Sequence, residues 1–411
     1  MSRRSPDALP GDATAGRRIV FVDHAATPGG GQLALLWLLM HSPHLDAHVV
    51  FLTPGPLIAR FRDAGISTSV VSHRPFEPRM LITELPALAA EVRRRRPDAV
   101  VATSIAAAKS LAFVPLRVPR LAYLQEDLAR AVGRGLTTQI LFRTVYPAFD
   151  GFLANSRWTA STVPAELGGV PCAVAYPPSN AQASVRRTRA FAEDGVLRIS
   201  TFSRPERWKG LDLLVDAAEI LAEDGGCPPF RIDMYGGGTV SDQAYAGDLR
   251  RRVAASALPI GLHGHVDDVA ERLAESDVVV LPSRLPEPFG QVVAQAKASG
   301  AVVIVSDDGG AVEQVTADAD GLVFARGSAA ALAEQVRRLL DAPALGARLA
   351  AAAATSAARW TDEVLAAEFI GALGTVLAAD RRRHRWRRRG WALVRTWRSA
   401  RGPGVMAAIR A

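Results

Sequence analysis

Short apolar runs alternate with stretches of helical periodicity through the first half of the chain. Such runs, rich in β-branched residues, predict strands, and they lie at Ile19–Val22, Ala47–Leu52, Thr68–Val71, Ala99–Ala102, Arg120–Tyr123 and Gly151–Ala154. Helices are predicted from Gly29-Gly30-Gly31 to about Met40, over Ile82–Arg96 and over Leu136–Tyr146. This alternation predicts a parallel sheet with helices on both faces.

The alternation breaks at Tyr176-Pro177-Pro178-Ser179-Asn180, where prolines and small polar residues predict a linker. A second series of strands follows at Leu197–Phe202, Phe230–Met234, Ile260–His263, Val278–Leu281 and Ala301–Val305. Its helices lie near Leu211–Ala222, Gln243–Ala255, Gln291–Ala298 and Ala329–Leu340, and Ala-rich stretches at Leu349–Arg359 and Glu363–Leu377 predict closing helices. The second half is therefore another α/β layer structure.

The 411 residues thus divide into a disordered leader at 1–16, a first domain at 17–178, a second domain at 179–365, a closing helix at 366–380 and a basic, Trp-containing tail at 381–411. The expected fold class is α/β, with two doubly wound domains facing a central cleft. In such a pair, a ligand binds where the carboxyl ends of the strands face each other.

The composition is that of an ordinary globular protein, with 49% hydrophobic and 22% charged residues. Only Cys172 and Cys227 are present, which indicates neither a disulfide framework nor a cysteine-bound metal and favours a cytoplasmic location. The polar residues near the N-terminus argue against a secretory signal, and the apolar runs are too short to predict a transmembrane helix.

The tail carries the whole excess of positive charge. Residues 381–411 contain eleven arginines and no acidic residue, so the rest of the chain contributes about −3 to the net charge of +8. A mildly acidic body argues against a groove for nucleic acid, and no nucleic-acid partner is expected.

If the tail is helical, one face carries Trp386, Leu393, Val394 and Trp397. Residues 381–398 would then suit an anionic membrane surface; a disordered basic arm is the alternative.

Charged and glycine-rich stretches follow the strands of the second half. Arg204 and Lys209 lie between a strand and a helix start, where two cations beside a helix N-terminus suit a diphosphate; a solvated charged turn is the alternative. Gly236-Gly237-Gly238 and Gly264-His265-Val266 follow two further strands. Glycines allow a ligand to approach the backbone, although a plain turn and an ordinary polar histidine are the simpler interpretations.

The most specific stretch runs from Pro282-Ser283 through Glu287 to Phe289-Gly290. A carboxylate in a loop shaped by Pro and Gly can bind sugar hydroxyls, and the helix that starts at Gly290 or Gln291 can hold a phosphate at its N-terminus. Ser306 to Gly310, with Glu313 beyond it, forms a second polar loop at a strand end.

Taken in order, these stretches resemble glycosyltransferase family 4, the retaining enzymes of the GT-B fold. The resemblance covers roughly residues 19–368 and is most specific between 202 and 324. The matching residues are Arg204 with Lys209 and Gly210, Gly236 to Gly238, Gly264 with Val266, Pro282 with Ser283, Glu287 with Phe289 and Gly290, Gly300, Gly309, Gly310 and Gly321. In the first half, Gly29, Gly30 and Gly31 look like the family's glycine turn against donor phosphates or acceptor.

The resemblance implies two Rossmann-like domains and retaining transfer from a UDP- or GDP-type sugar to a glycan or lipid-linked acceptor, without a cofactor. It implies that Arg204 and Lys209 neutralise the leaving diphosphate and that Glu287 contacts the donor sugar. The donor-binding set it implies is Gly29, Gly30, Gly31, Gly236, Gly237, His265, Val266, Pro282, Ser283, Phe289, Gly290 and Gln295.

Two positions depart from the family pattern. The family usually has a second glutamate eight residues after the first, on the nucleotide ribose, and this chain has Gln295 there. An amide still forms hydrogen bonds, without the strength of a charged acceptor. Many relatives also carry a histidine in the loop after the fifth strand, where this chain reads Gln125-Glu126-Asp127. Glu126 or Asp127 is the acceptor-side candidate, and solvated loop acids are the alternative.

Other functions fit less well. Asp318-Ala319-Asp320 has the spacing of a metal-binding motif from another fold, but it precedes Gly321 in an expected surface turn, so no metal site is expected. Gly29 to Gly31 lack the spaced-glycine pattern of dinucleotide oxidoreductases. A GT-B epimerase or hydrolase and a catalytically silent sugar- or nucleotide-binding subunit remain alternatives, the latter because of Gln295.

Overall fold

The computed structural model describes residues 14, 16–72, 83–128, 143–181, 185–223, 227–237 and 242–381. Nearly all of the expected leader, most of the helix expected at Leu136–Tyr146 and the tail from residue 382 onward lie outside the described residues.

The first domain is built on a seven-stranded parallel sheet of order β3-β2-β1-β4-β5-β6-β7. Its strands are β1 (Arg18–Ala25), β2 (Asp46–Thr53), β3 (Ser67–Val70), β4 (Ala99–Ala102), β5 (Arg120–Leu124), β6 (Gly151–Ala154) and β7 (Cys172–Val174). Val22 aligns with Val50 on one side and with Ala102 on the other. The strand order reverses between β1 and β4, which opens a crevice beyond their carboxyl ends.

Helices cover both faces of this sheet, as the continuous apolar strands require. They are α1 (Gly30–Met40), α2 (Leu57–Asp63), α3 (Leu85–Arg95), α4 (Ile105–Phe113) and α5 (Arg157–Ser161). Phe21 and Phe51 lie in the core on one face, whereas Val20 and Phe152 lie in the core on the other. The side chains of alternate residues in one strand are therefore buried on opposite faces of the sheet.

The second domain repeats this architecture with a six-stranded parallel sheet of order β10-β9-β8-β11-β12-β13. Its strands are β8 (Leu197–Phe202), β9 (Phe230–Tyr235), β10 (Ile260–Gly264), β11 (Val278–Leu281), β12 (Val302–Ser306) and β13 (Leu322–Phe324). Its helices are α6 (Leu211–Glu223), α7 (Gln243–Ala255), α8 (Val269–Glu275), α9 (Gln291–Ser299), α10 (Ala329–Asp341) and α11 (Pro343–Ser356). The order reverses between β8 and β11, which makes a second crevice.

The last helix, α12 (Asp362–Arg381), packs against the first domain. Phe369 contacts Tyr123 edge to face, with ring centres 5.2 Å apart. At the start of the helix, the Asp362 carboxylate accepts hydrogen bonds from the backbone N–H groups of Ser179 and Asn180 at 2.9 Å. The chain therefore crosses between the domains twice, and Asp362 joins the two crossings.

Candidate active site

A lysine and a glutamate from separate loops meet at the second domain's crevice. Lys209 Nζ lies 2.5 Å from Glu287 Oε2, and Ser283 Oγ donates to the same oxygen at 3.2 Å. Lys209 is on a 3-10 helix (Arg207–Lys209) that follows β8, and Glu287 is in the loop after β11. Because β8 and β11 are neighbours at the reversal of strand order, two residues that the sequence predicts for donor binding come into direct contact.

Glycine makes this approach possible at Gly210. Its φ of +67° is in the left-handed region, and a Cβ on it would lie 2.0 Å from the Pro282 carbonyl oxygen. Any side chain would therefore force the two loops apart. The backbone N–H of Arg284 also donates to the Trp208 carbonyl at 2.8 Å, so the loops are joined on both sides of Lys209.

A partly buried polar network supports this junction, and the sequence did not predict it. The Arg284 guanidinium lies 2.5 Å from Asp212 Oδ2, and the Tyr245 hydroxyl donates to Asp212 Oδ1 at 2.8 Å. Asp212 is at the start of α6, next to Gly210 and Lys209. Arg284 lies between Ser283 and Glu287 in the stretch that the sequence analysis found most specific, but nothing in the sequence pointed to its partner.

The glycine-rich strand ends lie beside this pair. Gly236, with φ of +152°, donates to the Gly264 carbonyl at 2.6 Å, and a Cβ on it would lie 2.0 Å from the Ser203 carbonyl oxygen. A Cβ on Gly237 would lie 2.5 Å from the backbone nitrogen of His265. The segments that begin Ser203-Arg204 and His265-Val266 are therefore packed together through glycine at the ends of β8, β9 and β10. The His265 side chain is 71% exposed, so it can contact a ligand.

The glycine turns of the two domains face each other across the cleft. The Gln291 side chain, at the first turn of α9, donates to the Gly30 carbonyl at 3.0 Å, and Gly30 begins α1. No side chain caps the N-terminus of either helix. Both helices therefore direct backbone N–H groups and the positive ends of their dipoles toward the cleft, which favours an anion.

Phe289 and Gly290 immediately precede the first residue of α9. Phe289 is 3% exposed and packs against Tyr176 and Trp360, with ring centres 5.9 and 6.0 Å away. Gly290 has a φ of +75°, and the Gln314 side chain donates to the Phe289 carbonyl at 2.6 Å. Phe289 thus anchors the loop, and the neighbouring backbone is the part of it that can meet a ligand.

Gln295 points toward the segment between the domains. Its Nε2 donates to the Ser179 carbonyl at 2.6 Å. Gln291, one turn earlier on α9, points the same way and reaches the Pro178 carbonyl at 3.5 Å. A glutamate at position 295 would have no proton to donate to Ser179, so the amide suits this contact where a carboxylate would not.

A polar cluster occupies the first domain's crevice, where Glu126 and Asp127 follow β5. Asp23 is fully buried and accepts from the Thr103 hydroxyl at 2.6 Å and from the Gln32 amide at 3.0 Å. His24 Nδ1 lies 2.8 Å from Asp23, and this hydrogen bond raises the pKa of His24. Desolvation by the surrounding protein raises the pKa of the Glu126 carboxyl, against the opposing effect of the charges on His24 and Lys109. His24 was not identified from the sequence, although it lies within β1, just beyond the predicted strand end at Val22.

The Asp318–Asp320 segment is used for ion pairs. Lys297 is fully buried and donates to Asp320 Oδ2 at 2.8 Å and to the Gln314 carbonyl at 2.6 Å. Burial lowers the pKa of Lys297 against the effect of Asp320. Asp318 pairs with Arg338 at 2.6 Å. Within the described part of the chain, no group of three His, Cys, Asp or Glu side chains is placed to hold a metal ion.

Comparison with known proteins matches part of the second domain to a known family. Residues 186–356, which contain the Lys209–Glu287 junction, match the family described as Glycosyl transferases group 1. This segment is similar to the glycosyltransferase domains of that family.

Curated relatives of this chain include glycosyltransferases and synthases. An N,N'-diacetylbacillosaminyl-diphospho-undecaprenol alpha-1,3-N-acetylgalactosaminyltransferase from Campylobacter jejuni is 35% identical over 107 residues, which is 26% of this chain and 28% of the relative. A D-inositol 3-phosphate glycosyltransferase from Streptomyces avermitilis is 26% identical over 284 residues, 63% of this chain and 57% of the relative. These matches span less than two thirds of each relative's length.

Solved structures share the whole architecture. Anabaena Alr3699/HepE in complex with UDP and glucose has a TM-score of 0.73 at 21% identity, over 86% of this chain and 98% of that one. The sucrose-phosphate synthase of Thermosynechococcus elongatus has a TM-score of 0.71 at 18% identity, over 88% of this chain and 100% of that one. The predicted GT-B fold is confirmed. No helix in the described residues is long and apolar enough to cross a membrane.

Proposed function

We propose that the protein is a retaining glycosyltransferase of family 4, which transfers a sugar from a UDP- or GDP-sugar to a glycan or lipid-linked acceptor in the cleft. The observation that carries this proposal is the Lys209–Glu287 contact at the strand reversal of a group 1 domain. In this proposal, Lys209 is the cation for the diphosphate, and the neighbouring Glu287 is the carboxylate for the sugar.

In the proposed reaction, the bond between the anomeric carbon and the diphosphate oxygen breaks, and both electrons stay on the diphosphate. Lys209, Arg204 and the N-terminus of α9 stabilise this developing charge. Glu287 holds hydroxyl groups of the donor sugar. The acceptor oxygen bonds to the same face of the sugar, and its proton passes to the departing phosphate. The three cationic or dipolar groups take the role of a metal ion, so the reaction is proposed to be metal-independent.

The acceptor class is inferred from the relatives. One relative is named for an undecaprenol-diphosphate-linked substrate, and another, from Rhizobium leguminosarum, for lipopolysaccharide core biosynthesis. A role in polysaccharide biosynthesis at the cytoplasmic face of a membrane would fit such an acceptor. The first-domain crevice with His24, Glu126 and Asp127 is the acceptor side in this proposal.

A thermal-shift screen of the purified protein against UDP, GDP and their sugars tests the donor. A nucleotide present at about 100 times its Kd stabilises the folded state by about 2.7 kcal/mol, which gives a clear rise in Tm. The sugar form of that nucleotide should then release the nucleoside diphosphate in the presence of an acceptor. A protein that responds to none of these ligands would contradict the proposal, and one that binds them without turnover would favour the silent binding subunit.

A further inference from the structure

One carboxylate of the second domain binds three donors of the first domain. Glu313 accepts hydrogen bonds from the backbone N–H groups of Arg157 at 3.1 Å and Trp158 at 2.7 Å, and from the Tyr176 hydroxyl at 2.6 Å. Arg157 and Trp158 are the first two residues of α5, whose next N–H group, that of Thr159, is capped by Ser156 at 2.9 Å. The cap of a first-domain helix is thus completed by a residue of the second domain.

The segment that carries Glu313 is bonded directly to Glu287. Glu313 belongs to a 3-10 helix (Ala311–Gln314) that follows Gly309 and Gly310. Gly310 donates to the Glu287 carbonyl at 2.7 Å, and Gly309 forms a bridge with Glu287. A Cβ on Gly309 would lie 2.6 Å from the Glu287 backbone. The 3-10 helix that carries Glu313 is therefore joined through the Gly309–Gly310 backbone to the loop that carries Glu287.

The same segment touches the first domain a second time. A Cβ on Gly310 would lie 2.6 Å from the Ser156 Cβ, so glycine brings this backbone against the start of α5. Tyr176 packs edge to face on Trp360, 5.3 Å between ring centres, which holds its hydroxyl toward Glu313. Three contacts with the first domain therefore lie within one helical turn of Glu313. They are the contact of Gly310 with Ser156, the cap of α5 and the hydrogen bond from the Tyr176 hydroxyl.

From this arrangement we propose that Glu313 is a positioning residue, which couples closure of the two domains to the placement of Glu287. The proposal rests on the proposed glycosyl transfer. When the domains separate, Arg157, Trp158, Tyr176 and the carboxylate all return to water. When the domains close, the Glu313 carboxylate accepts hydrogen bonds from the free N–H groups at the start of α5. This contact draws the Gly309–Gly310 loop, and Glu287 with it, toward the first domain.

Three variants and one control test this role. Glu313→Ala removes the contact, Glu313→Gln keeps one acceptor oxygen and loses the charge, and Tyr176→Phe removes one donor. Glu334→Gln is the control, because Glu334 is exposed on α10 in the same domain. Three measurements apply to each protein: UDP and GDP affinity by calorimetry, steady-state kcat and KM for the UDP- or GDP-sugar that the wild type turns over, and the radius of gyration by small-angle scattering with and without nucleotide.

Nucleotide affinity should change less than kcat in every variant, because the predicted nucleotide contacts other than Gly29, Gly30 and Gly31 lie in the second domain. The kcat should fall roughly tenfold or more in Glu313→Ala, since charge-assisted hydrogen bonds are lost, and less in Glu313→Gln and Tyr176→Phe. Glu313→Ala should also be more extended than the wild type in scattering, while the control matches the wild type in all three measurements.

Wild-type kcat and wild-type dimensions in Glu313→Ala would overturn the inference and leave the proposed function standing. A wild type that binds no nucleotide would contradict the proposed function instead. The unliganded scattering comparison would then still decide whether Glu313 holds the domains together.

Discussion

Gln295 on α9 is bonded to Ser179 between the domains, at 2.6 Å from amide nitrogen to carbonyl oxygen. The position at which family 4 usually has a ribose-binding glutamate therefore contacts the protein's own backbone. A carboxylate at this position could not donate to Ser179, and it would be drawn instead to the hydroxyls of a bound nucleotide.

This contact leads to a prediction about nucleotide affinity in the wild type and in two variants of Gln295. Gln295→Glu should keep or tighten nucleotide binding, because a charged acceptor holds ribose hydroxyls more strongly. Gln295→Ala should weaken binding by roughly 1–3 kcal/mol through the lost hydrogen bonds. Calorimetric titration of UDP and GDP into the wild type and both variants measures this. If all three affinities are equal, the side chain serves the linker alone.

Lys209 is predicted to stabilise the departing diphosphate. Lys209→Ala should reduce kcat/KM by an amount equivalent to roughly 2–4 kcal/mol of transition-state stabilisation. It also leaves Glu287, whose side chain is 10% exposed, without its cation. The single variant should therefore lose some thermal stability as well.

A double variant separates these two effects. Lys209→Ala combined with Glu287→Gln removes the uncompensated charge, so its Tm should recover toward that of the wild type while its activity stays low. An unchanged kcat/KM in Lys209→Ala would remove Lys209 from the proposed site.

Activity is predicted to survive treatment with EDTA. Asp320 is held by the buried Lys297 and Asp318 by Arg338, so both carboxylates of the Asp-x-Asp segment already have cationic partners. Initial rates before and after chelation, with dialysis against metal-free buffer, measure this. Loss of activity that Mn²⁺ or Mg²⁺ restores would contradict the prediction and make Asp318 and Asp320 candidate ligands again.

The sheets could be predicted from sequence because both faces of their strands are buried. A strand such as Val278–Leu281 is then a continuous apolar run, and the structure has it at the predicted bounds. The three-residue strands β7 and β13 and the seven-residue helices α2 and α8 were not predicted. Elements this short leave too few positions for a periodicity to be visible.

Contacts within the candidate site were harder to predict. Arg204, Lys209 and Glu287 were identified from their places at strand ends and from the family resemblance. The Lys209–Glu287 contact required the strand order, because only the adjacency of β8 and β11 brings together loops 78 residues apart. The burial of Lys297 could not be predicted, since it depends on how α9 packs against the Thr316–Asp320 turn.

The tail beyond residue 381 is predicted to bind anionic membranes. It lies outside the described residues, so the prediction rests on its eleven arginines and on Trp386, Leu393, Val394 and Trp397, which would share one helical face. Each basic residue near an anionic surface adds on the order of 1 kcal/mol of binding, and the tryptophans suit the interface.

The measurement is co-sedimentation with phosphatidylglycerol-containing vesicles, for the full-length chain and a form that ends at Asp380. Only the full-length protein should pellet, less so at high salt, while both forms keep nucleotide binding because α12 is nearly intact. If both forms pellet equally, the attachment lies in the two-domain body, and if neither does, the tail has no affinity for an anionic bilayer.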